Sequence, residues 1–150
     1  MSEIDDIQKR AKEFLDKRRF ERFKASLQVS FRPISPSEKN ALLKSGGYAS
    51  PGAFMAKAAE TQDLSHVISE DISAGGLRIS TPQVMPSKLE LWINLRLPGV
   101  PITVNALACV MWSRPVPGGG SFQSGLQFTA INQQDLAKVE GFLTLQKKQE

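Results

Sequence analysis

The sequence has little of the chemical equipment that catalysis usually needs. Its 150 residues include one cysteine, Cys109, and one histidine, His66. A single cysteine excludes an internal disulfide and a cysteine-based zinc site, and the apolar neighbours of Cys109 favour a buried thiol over a nucleophile. His66 has no GxSxG-type nucleophile turn to serve, so an ordinary strand residue is the better interpretation. The sequence offers no metal-ligand cluster and no paired carboxylates, so we expect neither enzymatic activity nor a cofactor.

Long hydrophobic runs are also missing, since no apolar stretch approaches the length of a transmembrane helix. The opening segment, MSEIDDIQKR, is acidic and polar, unlike a secretory signal peptide. Hydrophobic residues make up 41% and charged residues 23% of the chain, as in ordinary globular proteins. We therefore expect a cytoplasmic protein that does not insert into a membrane and that buries a sizeable core in one domain.

Positive charge is concentrated near the N-terminus. The net charge is only +4, but basic residues dominate the stretch from Lys9 to Lys24, against Glu13, Asp16 and Glu21. Such a segment suits an anionic partner, which could be phosphate, nucleic acid or a membrane surface. A solvated helix face is the alternative, and charge density alone does not separate these interpretations.

The first half of the chain predicts a helix, a strand and then a long interruption. Apolar residues recur at helical spacing within residues 1–17, which predicts an N-terminal helix. A single domain is expected over residues 18–150, and its first strand is SLQVSF, which alternates apolar and polar residues. Residues 34–64 then break the strand pattern. The stop signal at Gly46 and the capping signal at Ser50 predict two short helices within this insertion.

The second half predicts one strand after another. HVISEDI, GLRIST, KLELWINLRL, ITVNALACVMW and SFQSGLQFTA follow at short spacing, joined by turns rich in glycine and proline. With SLQVSF they predict a mainly β fold, a six-stranded antiparallel β-barrel. The last segment, NQQDLAKVEGFLTLQ, predicts a C-terminal α-helix capped by Asn132 that packs on the barrel.

The first candidate binding motif is the arginine cluster Arg18, Arg19 and Arg22. In a helical turn, Arg18 and Arg22 project to the same side because they are four residues apart. Guanidinium forks suit phosphate oxygens and the O6/N7 edge of guanine, and arginine planes can stack on purines. The cluster could therefore hold both parts of a guanine nucleotide, although RxxxR spacing is also common on solvated helices.

The second candidate motif is DISAGG, between two predicted strands. Asp71 can accept hydrogen bonds from the N1–H and N2–H₂ donors of guanine, and Ser73 can offer a hydroxyl to a phosphate or a base edge. Gly75 and Gly76 permit positive φ and a close backbone approach. A tight hairpin turn is the alternative, because Asp, Ser and Gly are ordinary turn residues.

The combination of RxxxR before the first strand and DxSxxG between two later strands resembles the PilZ-domain family. The resemblance covers most of the chain, from KRRFERFKASLQV through DISAGGLRIS to GLQFTAIN and the final helix. It implies a six-stranded barrel that binds cyclic di-GMP, a bacterial second messenger, through these two motifs. Arg18, Arg19 and Arg22 would then contact phosphates and guanine edges. Asp71, Ser73, Gly75 and Gly76 would meet the ligand from the barrel side.

This resemblance predicts a receptor whose N-terminal arm changes conformation on binding cyclic di-GMP and relays the signal to a downstream protein or within a homodimer. An adaptor of the same fold that binds only protein is the alternative. A nucleic-acid-binding barrel is disfavoured because aromatics are only 7% of the residues. Trp112, followed by Arg114, could stack near the ligand, but a barrel-wall role is the simpler interpretation. Ligand stoichiometry, oligomeric state and the role of residues 34–64 stay open.

Overall fold

A computed structural model describes residues 21–98 and 102–148. The predicted N-terminal helix, Arg18 and Arg19 lie outside these residues. The described strands and helices follow the chain in this order: β1 (Phe23–Lys24), β2 (Gln28–Pro33), α1 (Pro36–Ser45), a 3₁₀ turn (Gly47–Ala49), α2 (Pro51–Thr61), β3 (Ser65–Ser73), β4 (Gly76–Thr81), β5 (Glu90–Leu97), β6 (Ile102–Pro115), β7 (Phe122–Ile131) and α3 (Gln133–Lys148).

The strands form one antiparallel sheet that closes on itself. Its order is β1-β3-β2-β5-β6-β7-β4, and an additional pairing of β3 with β4 completes a barrel of six strands, β2 to β7. The two-residue strand β1 lies outside the closed circle and pairs with the end of β3. Full closure leaves few unpaired strand edges. The predicted six-stranded antiparallel barrel is confirmed.

One face of each strand fills the barrel interior, as the alternation predicts. Leu91, Ile93 and Leu95 on β5 face Val104 and other small apolar residues of β6, and all are buried. Helix α3 covers the core with Val139, Phe142 and Leu143. Its N-cap is Asn132, whose Oδ1 accepts from the amide of Asp135 at 2.7 Å, as the sequence predicts.

Residues 34–64 fold into a helical insertion that packs on the outside of the barrel. Helix α2 begins at the predicted cap, where Ser50 Oγ accepts from the amide of Ala53 at 3.1 Å. Phe54 from α2 meets Trp92 of β5 edge to face, with the ring centroids 5.3 Å apart. With Ile34 and Leu107 of β6 these residues form a second apolar cluster, separate from the barrel interior.

The insertion changes the outer face of β5. Alternation along KLELWINLRL assigns Trp92 to the side facing away from the barrel interior, yet this side chain is 2% exposed. The insertion buries it, and the indole Nε1 donates to the carbonyl of Tyr48 at 2.8 Å. The buried indole donor is thereby satisfied. In the described part of the chain, no helix is long and apolar enough to cross a membrane.

Candidate functional site

The segment that carries Arg22 is held against β3 by main-chain and side-chain hydrogen bonds. β1 pairs Phe23 with Ile72, and the chain then continues beside β3 into β2. The buried Ser69 of β3 holds the short segment between β1 and β2. Its Oγ accepts a hydrogen bond from the amide of Leu27 and donates one to the carbonyl of Ala25. Arg22 lies directly before β1 and outside any helix, so the same-side geometry that a helical turn would give Arg18 and Arg22 does not extend to Arg22.

Asp71 on β3 lies between two arginines. Arg22 Nη1 donates to Asp71 Oδ1 at 2.9 Å, and Arg78 of β4 donates through Nε to Asp71 Oδ2, which Arg78 Nη2 also contacts as an ion pair. The carboxylate is 6% exposed, whereas the side chains of Arg22 and Arg78 are 40% and 32% exposed. The hydrogen bond to Asp71 raises the pKa of Arg78 above its usual value. The three groups together carry one positive charge on an open surface.

The hairpin between β3 and β4 contains the rest of the DISAGG motif. The hydroxyl of Ser73 is buried in the turn, where it accepts from the amide of Gly75 at 3.2 Å and lies 3.3 Å from the carbonyl oxygen of Gly76. A Cβ at Gly76 would overlap the carbonyl oxygen of Leu126, so glycine is required by the close approach of β7. Neither Gly75 nor Gly76 is among the glycines with positive φ. Gly76 is therefore needed for the close approach of β7, and not for a positive φ.

A row of side chains runs from this hairpin across four strands of the barrel. Strand pairing places Lys24 opposite Asp71, Asp71 opposite Arg78, Arg78 opposite Gly125, and Gly125 opposite Trp112. Residues paired in this way lie on the same face of a sheet. Neighbouring strands are about 4.8 Å apart, so the row spans roughly 14 Å from Asp71 to Trp112.

Trp112 forms the far end of this row. The indole packs closely against Gly125 of β7, where a Cβ would overlap the ring, so this position requires glycine. Arg114 lies over the ring, with its guanidinium carbon 4.6 Å from the ring centroid. Stacking of this kind holds an arginine where its charge stays accessible. The Arg114 guanidinium also donates to Gln123, which in turn bonds Glu70.

The surface thus combines a buried carboxylate, accessible guanidinium groups and an arginine stacked on an indole. Guanidinium groups can bind phosphate oxygens and stack on a purine ring, and the carboxylate can accept hydrogen bonds from a base. Within residues 21–98 and 102–148, no group of His, Cys, Asp and Glu side chains is arranged to hold a metal ion.

Sequence reasoning found part of this surface and missed part of it. Arg22 and Asp71 are brought into direct contact, and Ser73, Gly75 and Gly76 form the adjoining hairpin. Arg18 and Arg19 lie outside the described residues. Arg78 was missed because a single basic residue on a strand has the pattern of an ordinary solvated position. The contribution of these residues to ligand binding stays a prediction.

The insertion does not cover this surface. It packs on β5 and the adjoining part of β6 through Trp92 and Leu107. Asp71 and Arg78 lie on β3 and β4, and in the closed order of strands β4 is opposite β5. The outer face around Asp71 is therefore accessible with the insertion in place.

Comparisons with known proteins agree with this fold. A family model described as PilZ domain matches residues 50–145. A search of curated proteins gave no significant match.

Solved structures resemble the chain at low sequence identity. The inhibitor of motility of Bacillus subtilis (MotI/DgrA) aligns with a TM-score of 0.61 and 17% identity, over 85% of this chain but only 50% of its own length. The PilZ domain of YcgR from Escherichia coli, with cyclic di-GMP, aligns with a TM-score of 0.54 and 10% identity, covering 89% and 93% of the two chains. A tetrameric PilZ domain from Xanthomonas campestris gives 0.51 and 17%, covering 86% and 89%. At such identities the likeness shows the fold.

Proposed function

This chain belongs to the PilZ-domain family, and on that premise we propose that it is a receptor for cyclic di-GMP. The observation that carries the proposal is the pairing of Asp71 with two arginines on the open face of the barrel. Cyclic di-GMP has two phosphates and two guanines, so it needs cations and a base-reading acceptor close together. The PilZ domain of YcgR, which has a similar fold, is described with this ligand.

The arginines are proposed to bind the anionic part of the ligand. Arg22 is half-exposed and lies beside Asp71, so its guanidinium can turn towards a phosphate without moving the barrel. Arg18 and Arg19, four and three residues earlier, would join it from the same arm. Guanidinium forks bind phosphate oxygens through two parallel hydrogen bonds.

Asp71 and the hairpin are proposed to read a guanine. An ionised carboxylate only accepts hydrogen bonds, which suits the N1–H and N2–H₂ donors of guanine and disfavours adenine, whose N1 is an acceptor. Ser73, Gly75 and Gly76 would border the same base. Arg114, which is exposed and stacked on Trp112 at the far end of the row, provides a guanidinium plane on which the second base can stack.

The ligand is further proposed to reorganise the N-terminal arm. Phosphates would neutralise the repulsion among Arg18, Arg19 and Arg22 and draw the arm onto the barrel. A downstream protein or a second copy of the chain would then recognise the rearranged surface. The tetramer of the Xanthomonas protein is an example of self-assembly within this fold.

Isothermal titration calorimetry with cyclic di-GMP tests the proposal directly, with GMP and cyclic AMP as controls. The parent is expected to bind cyclic di-GMP selectively, and Arg22→Ala to weaken binding about 30-fold, since one charge-assisted contact contributes about 2 kcal/mol. Arg96→Ala, which removes an exposed arginine from β5, is the matched control and should bind like the parent. Equal affinity of Arg22→Ala and the parent would remove Arg22 from the site.

A protein-binding adaptor without nucleotide is the second candidate. The observation in its favour is the insertion, which is firmly packed on β5 yet leaves Leu43 and Met55 exposed on its outer side. If the parent gives no heat with cyclic di-GMP, the adaptor is preferred. Asp71→Ala would then leave partner binding unchanged, because Asp71 lies on the opposite side of the barrel.

A further inference from the structure

We propose that Arg78, which belongs to neither sequence motif, is a positioning residue that fixes the Asp71 carboxylate so that its Oδ1 atom alone faces the bound base. The inference rests on the proposed function, because it assigns the atom through which Asp71 would read guanine. Arg78 would act through Asp71 and make no contact with the ligand.

The two oxygens of Asp71 have different partners. Oδ2 accepts a hydrogen bond from Arg78 Nε and is also in ion-pair contact with Arg78 Nη2, while Oδ1 accepts a single bond from Arg22 Nη1 at 2.9 Å. Both Arg78 nitrogens approach Oδ2, so this planar guanidinium holds one oxygen of the carboxylate and leaves Oδ1 to Arg22. The bond to Oδ1 is the one that a ligand can replace without rotating the Asp71 side chain.

The backbone supports of the two arginines also differ. Arg78 lies within β4 and is paired on both sides, with Asp71 of β3 and with Gly125 of β7. Arg22 precedes a two-residue strand and has the more exposed side chain. Arg22 can therefore leave Asp71 for a phosphate, whereas Arg78 stays in place.

Burial explains why Asp71 needs a permanent partner. The carboxylate is 6% exposed, and a buried charge that loses its counter-ion is strongly destabilised. If Arg22 turned to a ligand phosphate and Arg78 were absent, Asp71 would lose both of its described ion pairs. Arg78 keeps the carboxylate paired and oriented through the exchange, so that Oδ1 can accept from a guanine N–H.

A double-mutant cycle on cyclic di-GMP affinity tests this assignment. Arg78→Gln is expected to weaken binding about tenfold and Asp71→Asn about 30-fold. Because Arg78 acts through Asp71, the double variant should bind no more weakly than Asp71→Asn alone. Arg78→Lys should give an intermediate loss, since an ammonium restores the charge but not the planar fork.

Selectivity gives a second readout that a general loss of charge would not change. Arg78→Gln should narrow the preference for cyclic di-GMP over cyclic di-AMP, because a rotated carboxylate accepts less well from the guanine edge. The control Arg96→Gln removes the same charge from the exposed face of β5 and should keep both affinity and preference. If thermal melting shows that Arg78→Gln is unfolded, the cycle is run with Arg78→Lys.

The outcomes separate this inference from the proposed function. A parent that binds, together with an Arg78→Gln variant of equal affinity, overturns the role of Arg78 and leaves the receptor intact. Additive losses in the double variant also overturn it, because they mean that Arg78 contacts the ligand itself. A parent that does not bind overturns the proposed function and this inference together.

Discussion

Two ion networks on the barrel have opposite composition. On the insertion side, Arg32 of β2 lies between two carboxylates: its Nη1 donates to Glu38 Oε2 at 2.6 Å and its Nε to Asp63 Oδ1 at 3.1 Å. On the other side, the carboxylate of Asp71 lies between Arg22 and Arg78. The central charge is buried in both, since the Arg32 and Asp71 side chains are 3% and 6% exposed.

The difference lies in the sign of the surplus charge and in what surrounds it. Around Arg32 the surplus is negative, and both carboxylates come from the insertion, Glu38 in α1 and Asp63 just after α2. That network ties both ends of the insertion to one strand. Around Asp71 the surplus is positive and its arginines are partly exposed, which attracts an anion from solution. The first network therefore ties the insertion to the barrel, and the second is the one that we propose exchanges with a ligand.

The largest effect is expected from breaking the structural network. Arg32→Ala leaves Glu38 and Asp63 without their shared cation and frees both ends of the insertion. We expect a loss of about 3 kcal/mol in the free energy of unfolding, measured by urea denaturation, because removing one partner of a buried ion pair is strongly destabilising. Cyclic di-GMP affinity of the folded fraction should be unchanged, since the insertion packs away from Asp71.

Arg96→Ala on the neighbouring strand β5 is the matched control, and its exposed side chain should contribute less than about 0.5 kcal/mol. If both variants lost the same small free energy of unfolding, the Arg32 network would contribute no more than a surface ion pair. The contrast between a structural network at Arg32 and a ligand site at Asp71 would then be wrong.

The sequence predicted those parts of the fold that depend on local patterns, and not those that depend on distant contacts. Strand alternation predicted the barrel because a closed sheet has one apolar interior face, and this face is visible along every long strand. The helix signals at Ser50 and Asn132 predicted caps correctly because a capping hydrogen bond is local. The burial of Trp92 could not be predicted, since it depends on a segment that is distant in sequence.

The candidate site was predicted in its motifs but not in its geometry. Arg22 and Asp71 are 49 residues apart, and only the family resemblance joined them. β1 is two residues long, too short to show any periodicity, so the sequence after Arg22 does not reveal this strand. Arg78 acts through a contact across the hairpin with Asp71, and Ser69 through two contacts with the distant residues Ala25 and Leu27, and neither leaves a pattern in the sequence around it.

An intermediate effect is expected from loosening the Asp71 side of the comparison at Ser69. Ser69→Ala leaves the amide of Leu27 and the carbonyl of Ala25 without the hydroxyl that bridges them. We expect a loss of about 1–2 kcal/mol in the free energy of unfolding, because the unpaired groups are largely buried. Weaker cyclic di-GMP binding should accompany it, since the hydroxyl holds the segment that carries Arg22 beside β3.

Ser30→Ala, which removes an exposed hydroxyl from the adjacent strand β2, is the control for Ser69→Ala. A Ser69→Ala variant as stable as Ser30→Ala would show that solvent replaces the bridge, and the Arg22 segment would then need another support.

The smallest effect on stability is expected from lowering the pH, which acts on the Arg32 network through Asp63. Burial acts to raise the pKa of Asp63, but hydrogen bonds from Thr61 and Arg32 outweigh it and lower the pKa below 3.8. A carboxyl whose pKa is lower in the folded state stabilises the protein above its unfolded pKa, and this contribution disappears as the pH falls through the folded value. The parent should therefore lose more stability than Asp63→Asn between about pH 5 and about pH 3, measured as the shift in urea midpoint.

Because Asp63 is 39% exposed, solvent screens the pair and the difference should be small. Equal shifts for the two proteins would mean that Glu38 alone holds Arg32, and that only the α1 end of the insertion is tied to the barrel by charge.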